Sequence, residues 1–556
     1  MTILTDRRSL LQAALGAGLT TAFITRFGGV LMPAQASAQG LQPSDFSTLY
    51  VVPASGTLAT PPGTGTKTDP FALAAGEEYA LNQLIRGFMD RSVPLVVQFG
   101  NGVYQDVRLQ IIRQGLDTTK LYLRDRVMSS DGQVGIGYHS TVQCNDEGEN
   151  CRVQPQDFAI GSGAAQAPLI LEAQTSGQVI FDGSGLTGLP DIDDVALLIS
   201  GAINDLAATA PYTSTSQRIR NVLVQGLSFR NYRNGIHVTY AEGVTVSGCI
   251  LSDIGNRGPR AGDANCIGTF GLRADGDSRS VLMCGNTVQG LWNDVVAADG
   301  SADQDDPGLI HGIYQGYAHD VVFKDNVLNG CSGPMVKFGY YPTVTDGSLV
   351  YQYPTSPRDQ CTLFIGNSFT LSTIKNGLST VPIYAPEQAF IEENSSVDVD
   401  GKATLPASGM IFVGNRFINM LPAEQGVPVV FLRQEIPPSM NMPLFPGWTF
   451  AGNVIEAVTD EYLIAVRTRG TPLEAGFIQP VFDPTPLRTS LVQQMGVAAT
   501  VSVSDVAAQA IASALAGISS GLDAAANAAL LAIARSGTQP WLTSAPASAS
   551  VGLTQP

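Results

Sequence analysis

One asparagine-centred frame returns five times in this chain, and a repeat of that kind constrains the fold more than composition does. The segments are Cys284-Gly-Asn286-Thr-Val, Lys324-Asp-Asn326-Val-Leu, Ile365-Gly-Asn367-Ser-Phe, Val413-Gly-Asn415-Arg-Phe and Ala451-Gly-Asn453-Val-Ile. Two earlier segments share the frame with Leu227 and Cys249 in the Asn place. Self-similarity of this sort means stacked structural units, each burying its apolar face against the next. An Asn side chain carries one acceptor and two donors, so copies stacked in neighbouring coils can bond to one another and to the turn backbone. The spacing predicts a ladder of Asn286, Asn326, Asn367, Asn415 and Asn453 running along a solenoid. Turn punctuation between hairpin strands is the competing use of such residues.

Composition agrees with many short strands. Of 556 residues, 59 are Gly, only 14% are charged and 7% are aromatic, a profile unlike that of a helical bundle. The net charge of −17 and the lack of clustered Lys and Arg argue against a nucleic-acid partner. Beyond the N-terminal segment no apolar run is long enough to cross a bilayer, so no membrane span is expected.

Residues 1–38 read as an export signal. Asp6-Arg7-Arg8-Ser9-Leu10-Leu11-Gln12 resembles the twin-arginine motif, a mildly apolar run follows, and Ala36-Ser37-Ala38 is a small-x-small cleavage site. The expected destination is the periplasm or the medium. Cys144 and Cys151 bracket a polar loop and are placed for a local disulfide there. The other five cysteines, in or beside repeat segments, are expected as small buried residues.

The chain order is a short strand around Tyr50–Val52, an amphipathic helix over Phe71–Met89 with Glu77, Glu78 and Arg86 off its apolar face, then strands over Val93–Phe99 and Val103–Leu109. Pro168–Glu172 and Val179–Gly185 follow. This order, leading into the repeats, resembles the entry coils of right-handed parallel β-helix proteins of the pectate-lyase-like superfamily, in which a helix caps the open end. The resemblance covers roughly residues 48–470 and implies an all-β parallel β-helix; it specifies no chemistry. The expected division is a β-helix domain over 39–495, with clear repeats over 220–470, and an Ala-rich helical cap and tail over 496–556.

Gly235–Cys249 aligns without a gap on Gly312–Asn326, which puts His237 in the place of Tyr314 and Glu242 in that of His319. From Leu227 to Cys249 is 22 residues, while later intervals are 37, 40, 41, 48 and 38. The flanks Asn293-Asp-Val-Val, Gly333-Pro-Met-Val and Gly312-Ile-Tyr place the extra residues near the Gly235 position on successive coils. Stacking would set these insertions side by side along one flank, walling a groove.

The expected groove residues cluster around 290–350. Asp294, Asp299, Asp303, Asp305 and Asp306 lie within one coil and could supply the two carboxylates of a glycoside hydrolase. Asp299, Asp303 and Asp305 could instead bind Ca²⁺, although no cofactor is required by the pattern; a solvated acidic loop is the plain alternative. His311 or Lys337 as base with Tyr314 as acid is the set that β-elimination of a uronate needs. Trp292, Tyr317, Tyr340 and Tyr341 offer flat rings for stacking on sugar faces. The Trp-Asp-His, Asn-Thr-Asp and Arg-Ile-Lys motifs of pectate lyases and galacturonases are absent, so those families' catalytic roles are not carried over. The acidic chain disfavours an anionic substrate unless a cation intervenes. The expectation is an exported protein with a polysaccharide partner, a lyase or hydrolase, with a non-catalytic envelope or sugar-binding β-helix as the alternative. The sequence leaves its oligomeric state open.

Overall fold

A computed structural model describes residues 45–54, 62–113, 124–128, 134–138, 167–186, 195–201, 218–255, 269–275, 278–292, 310–316, 318–331, 333–338, 342–345, 348–351, 362–372, 374–375, 382–383, 390–397, 403–404, 410–420, 430–435, 449–451, 453–456 and 464–467. The export signal, the Cys144–Cys151 pair and the Ala-rich C-terminal segment lie outside the described residues.

Each coil contributes one strand to each of three parallel sheets, and the coils wind as a right-handed parallel β-helix. One full coil shows the order. Ser278–Cys284 lies in the first sheet, Thr287–Leu291 in the second and Ile310–Gln315 in the third; Ala318–Lys324 then re-enters the first. Inward residues of all three sheets meet in one continuous apolar core. Within it aromatic rings stack from coil to coil, as Phe323, Phe364 and Phe412 do at centroid spacings of 5.1 and 4.5 Å.

The turn from first to second sheet holds the asparagine ladder. Asn286, Asn326, Asn367, Asn415 and Asn453 are all buried. Asn326 Nδ2 donates to Met283 O and to Asn367 Oδ1, both at 2.9 Å, and Asn286, Asn367 and Asn415 repeat the pattern. The frame's preceding residue also has a reason. Gly285, Gly366 and Gly414 sit at φ of +62 to +64°, and Asp325 at +52°, so this position is left-handed and selects Gly or a short polar residue. At the N-terminal end the ladder stops on the Cys249 backbone, whose N–H donates to Asn286 Oδ1 at 2.9 Å.

Three expectations need correction. The helix runs only over Glu78–Met89, because Phe71–Leu73 is taken as a strand beside Ser47–Pro53. Glu77 and Glu78 are buried rather than solvent-facing; Glu78 Oε2 accepts the Gly76 N–H at 2.6 Å, which ties down the entry of the helix. Cys249 and Cys331 are buried as expected, but Cys284 is only half-buried, on an outward position of the first sheet. Cys266 and Cys361 lie outside the described residues.

The insertions also divide differently. The connections 255–268 and 292–309 join second-sheet to third-sheet strands, as the sequence implies. In the next coil only 332–335 separate Cys331 from Val336, and the long connection comes after Phe338, returning to the first sheet at Thr362. Later coils lengthen both turns, across 372–390 and 398–409, then 420–429 and 436–448. Long connections therefore leave both ends of the third-sheet strands.

Candidate active site

The outer face of the third sheet carries the most unusual chemistry among the described residues. Parallel register aligns Gln110, Leu198, His237, Arg273, Tyr314, Lys337 and Glu392 in one row across consecutive coils. Phe270 and His311 pair in a second row, and Thr239 and Asp275 in a third. Side chains of a strand alternate between faces, so the core-facing Leu272 and Ala274 leave Arg273 and Asp275 pointing outward. Outward Val195, Leu198 and Phe270 form a small apolar cluster against which Tyr314 packs.

Asp275 is the hub. Its Oδ1 lies 2.7 Å from His237 Nε2 on the preceding coil, and its Oδ2 accepts from Arg273 Nε at 2.6 Å. Gly316, one coil on, leaves the space it needs: a Cβ there would stand 2.7 Å from Asp275 Cβ. Burial works to raise the Asp275 carboxyl, but the Arg273 guanidinium, the His237 ring and the Thr239 hydroxyl outweigh it and hold the group well below the usual carboxylate range. For His237 burial wins, lowering the ring below its ordinary value against the pull of Asp275. Burial likewise opposes the Arg273 charge, and Asp275 more than restores it.

Aromatic faces complete the cluster. The Arg273 guanidinium lies 5.2 Å from the Phe270 centroid and 4.8 Å from that of Tyr314. The His237 ring meets Phe270 edge-on at 5.5 Å, and the His311 ring stands 5.7 Å from Tyr314. Tyr314 is half-buried, while His311 and Lys337 are 4% and 8% exposed.

The structure thus brings three sequence-expected residues together: Tyr314 and Lys337 are register partners, and His311 lies on the Tyr314 strand. Trp292 is half-buried at the end of its second-sheet strand, where the 293–309 connection begins. Asp294, Asp299, Asp303, Asp305, Asp306, Tyr317, Tyr340 and Tyr341 lie outside the described residues, and with them the proposed Ca²⁺ ligands. Among the described residues no three His, Cys, Asp or Glu side chains converge. Sequence reasoning missed Arg273 and Asp275. The only signal was their place on the coil between the two aligned segments.

No family model matches the sequence, and no curated protein matches it. Solved structures do resemble it. An alginate lyase from Paenibacillus sp. str. FPU-7 is 12% identical with a TM-score of 0.33, over 67% of this chain and 93% of that one. A mutant tailspike protein of E. coli bacteriophage HK620, in complex with a pentasaccharide, is 12% identical with a TM-score of 0.37, over 84% of this chain and 60% of that one. Pectate lyase Pel9A is 10% identical with a TM-score of 0.32, over 75% and 80%. No residue role is taken from any of them.

Proposed function

We propose that this is an exported polysaccharide lyase that cleaves a uronate-containing glycan over the outer face of the third sheet. The observation that carries the reading is the pairing of Tyr314 with Lys337 in adjacent coils on that face. Elimination needs a base for the C5 proton, an acid for the leaving oxygen and a cation against the carboxylate. The base takes the proton, its electron pair forms the C4=C5 double bond, the C4–O bond breaks, and the acid protonates the departing oxygen. Tyr314 supplies the acid. Lys337 and Arg273 supply positive charge to an otherwise acidic protein, and Lys337 and His311 are the bases the sequence singles out. Asp275 is unsuited to act as a protonated acid, being held ionised by Arg273 and His237.

The test is a polysaccharide panel, with and without calcium, read for reducing ends and for the ultraviolet absorbance of an unsaturated uronate. Both signals together support a lyase, and Tyr314→Phe should then lower kcat by about 10²-fold or more with KM little changed. Reducing ends alone would move the chemistry to the aspartates of 294–306. Binding with no cleavage would support the non-catalytic alternative.

A further inference from the structure

The Asp275–His237 pair has the form of a proton-handling device, and neither the sequence nor any comparison assigns it a role. We propose that His237 is the catalytic proton acceptor on the outer face of the third sheet, with Asp275 and Arg273 as the residues that position it. This rests on the lyase reading above and identifies its base.

The geometry fixes the tautomer of the neutral ring. An ionised carboxylate only accepts hydrogen bonds, so the 2.7 Å contact puts an N–H on Nε2, and in the neutral ring the lone pair is then on Nδ1. Asp275 cannot turn away, because Arg273 Nε occupies its other oxygen and Thr239 adds a hydroxyl. Arg273 is itself held between the rings of Phe270 and Tyr314. Among the described residues, the charged and titratable groups facing the ring are Asp275 and Arg273 from the following coil. Leu198 is its apolar register partner on the preceding coil, and Tyr314 and Lys337 continue the row beyond Arg273. Burial favours the neutral ring, so Nδ1 can accept a proton at neutral pH.

A purely structural role explains less. Burying an ion pair and an imidazole costs desolvation that apolar residues avoid, and the same outer face holds Leu198 and Phe270 in apolar contact close by. His237 is also more accessible than the bases read from the sequence. It is half-buried, whereas His311 and Lys337 are buried. In the reaction Nδ1 takes the C5 proton, the electron pair forms C4=C5, C4–O breaks, and Tyr314 gives its proton to the leaving oxygen. Lys337 is then left to face the substrate carboxylate.

Two measurements on the full exported chain decide this. In ¹⁵N-histidine NMR, with His237→Gln used for assignment, the His237 ring should be the Nε2–H tautomer and should titrate below 6.5. An Nδ1–H tautomer, or an imidazolium at pH 7, would overturn the proposal. In kinetics on the panel substrate, His237→Gln should lose about 10²-fold or more in kcat with little change in KM. The wild-type acid limb of kcat/KM should follow the NMR midpoint, and Asp275→Asn should displace it downward. Activity of His237→Gln within about threefold of wild type, with its acid limb intact, would remove His237 as base and leave the lyase reading standing. Absence of unsaturated product from wild type on every uronate would overturn both.

Discussion

Asn326 reaches Asn367 twice: its backbone N–H and its side-chain Nδ2 both donate to the one Oδ1 of Asn367, at 3.0 and 2.9 Å. The same side chain accepts from the backbone and side chain of Asn286 and donates to Met283 O. Asn286, Asn326, Asn367 and Asn415 each therefore lock three coils together in a site closed to water.

Replacing Asn326 with Ala orphans buried groups on both sides at once. Each unsatisfied group costs about 1–3 kcal/mol, so a loss of at least about 2 kcal/mol is expected in urea unfolding. A change below about 0.5 kcal/mol would show that the ladder accompanies the stacking without stabilising it.

Two glycines separate crowding from backbone conformation. A Cβ on Gly271 would stand 2.6 Å from Val288 Cγ1 and 2.7 Å from Gly312 O, a backbone atom fixed in the next coil. Gly271→Ala should cost about 3 kcal/mol or more through overpacking, because the backbone oxygen cannot move aside. Gly285 has open space around it but a φ of +62°, so Gly285→Ala should cost only about 1 kcal/mol. Equal losses, or the reverse order, would contradict the packing described.

Stability should have a plateau between about pH 6.5 and 9 and decline on both sides. His237 is lowered from its ordinary 6.5, so the unfolded chain binds its proton first and stability falls as pH drops from there. Asp275 and Asp182 are lowered from 3.8, burial being outweighed at Asp182 by Asn231, Arg230 and Ser184; a second loss begins near that value. Asp325, raised by burial, opposes that second loss. On the alkaline side burial pushes Cys249 and Cys331 up to about 12 from 9.0, so the folded state keeps protons that the unfolded chain releases. Urea midpoints measured from pH 3 to 11 test this. A midpoint unchanged between pH 7 and 4.5 would remove the His237 contribution.

Much of the scaffold was legible because its signal is local and repeated. The Asn frame names both the αL residue before the ladder and the ladder itself. The gapless match of Gly235–Cys249 to Gly312–Asn326 is reproduced through the coil between them: His237, Arg273 and Tyr314 share one row, and Glu242, Arg279 and His319 another. Arg273 and Asp275 were invisible because their importance lies in contacts across 38 residues and within one outward face, which no motif encodes. The third insertion lies later than the flanks predict, because Gly333–Phe338 keeps the expected pattern while the added length follows it. The helix is shorter than its spacing predicts because Phe71–Leu73, helix-compatible in pattern, is held as a strand by a parallel partner.

Long connections at both ends of the third-sheet strands separate two kinds of change. The rows on the floor are fixed by main-chain pairing, which is indifferent to how much chain passes between one strand and the next. A turn can lengthen, shorten or be exchanged while His237, Arg273 and Tyr314 keep their register. Chain length between strands and register along the rows are thus independent variables of this scaffold.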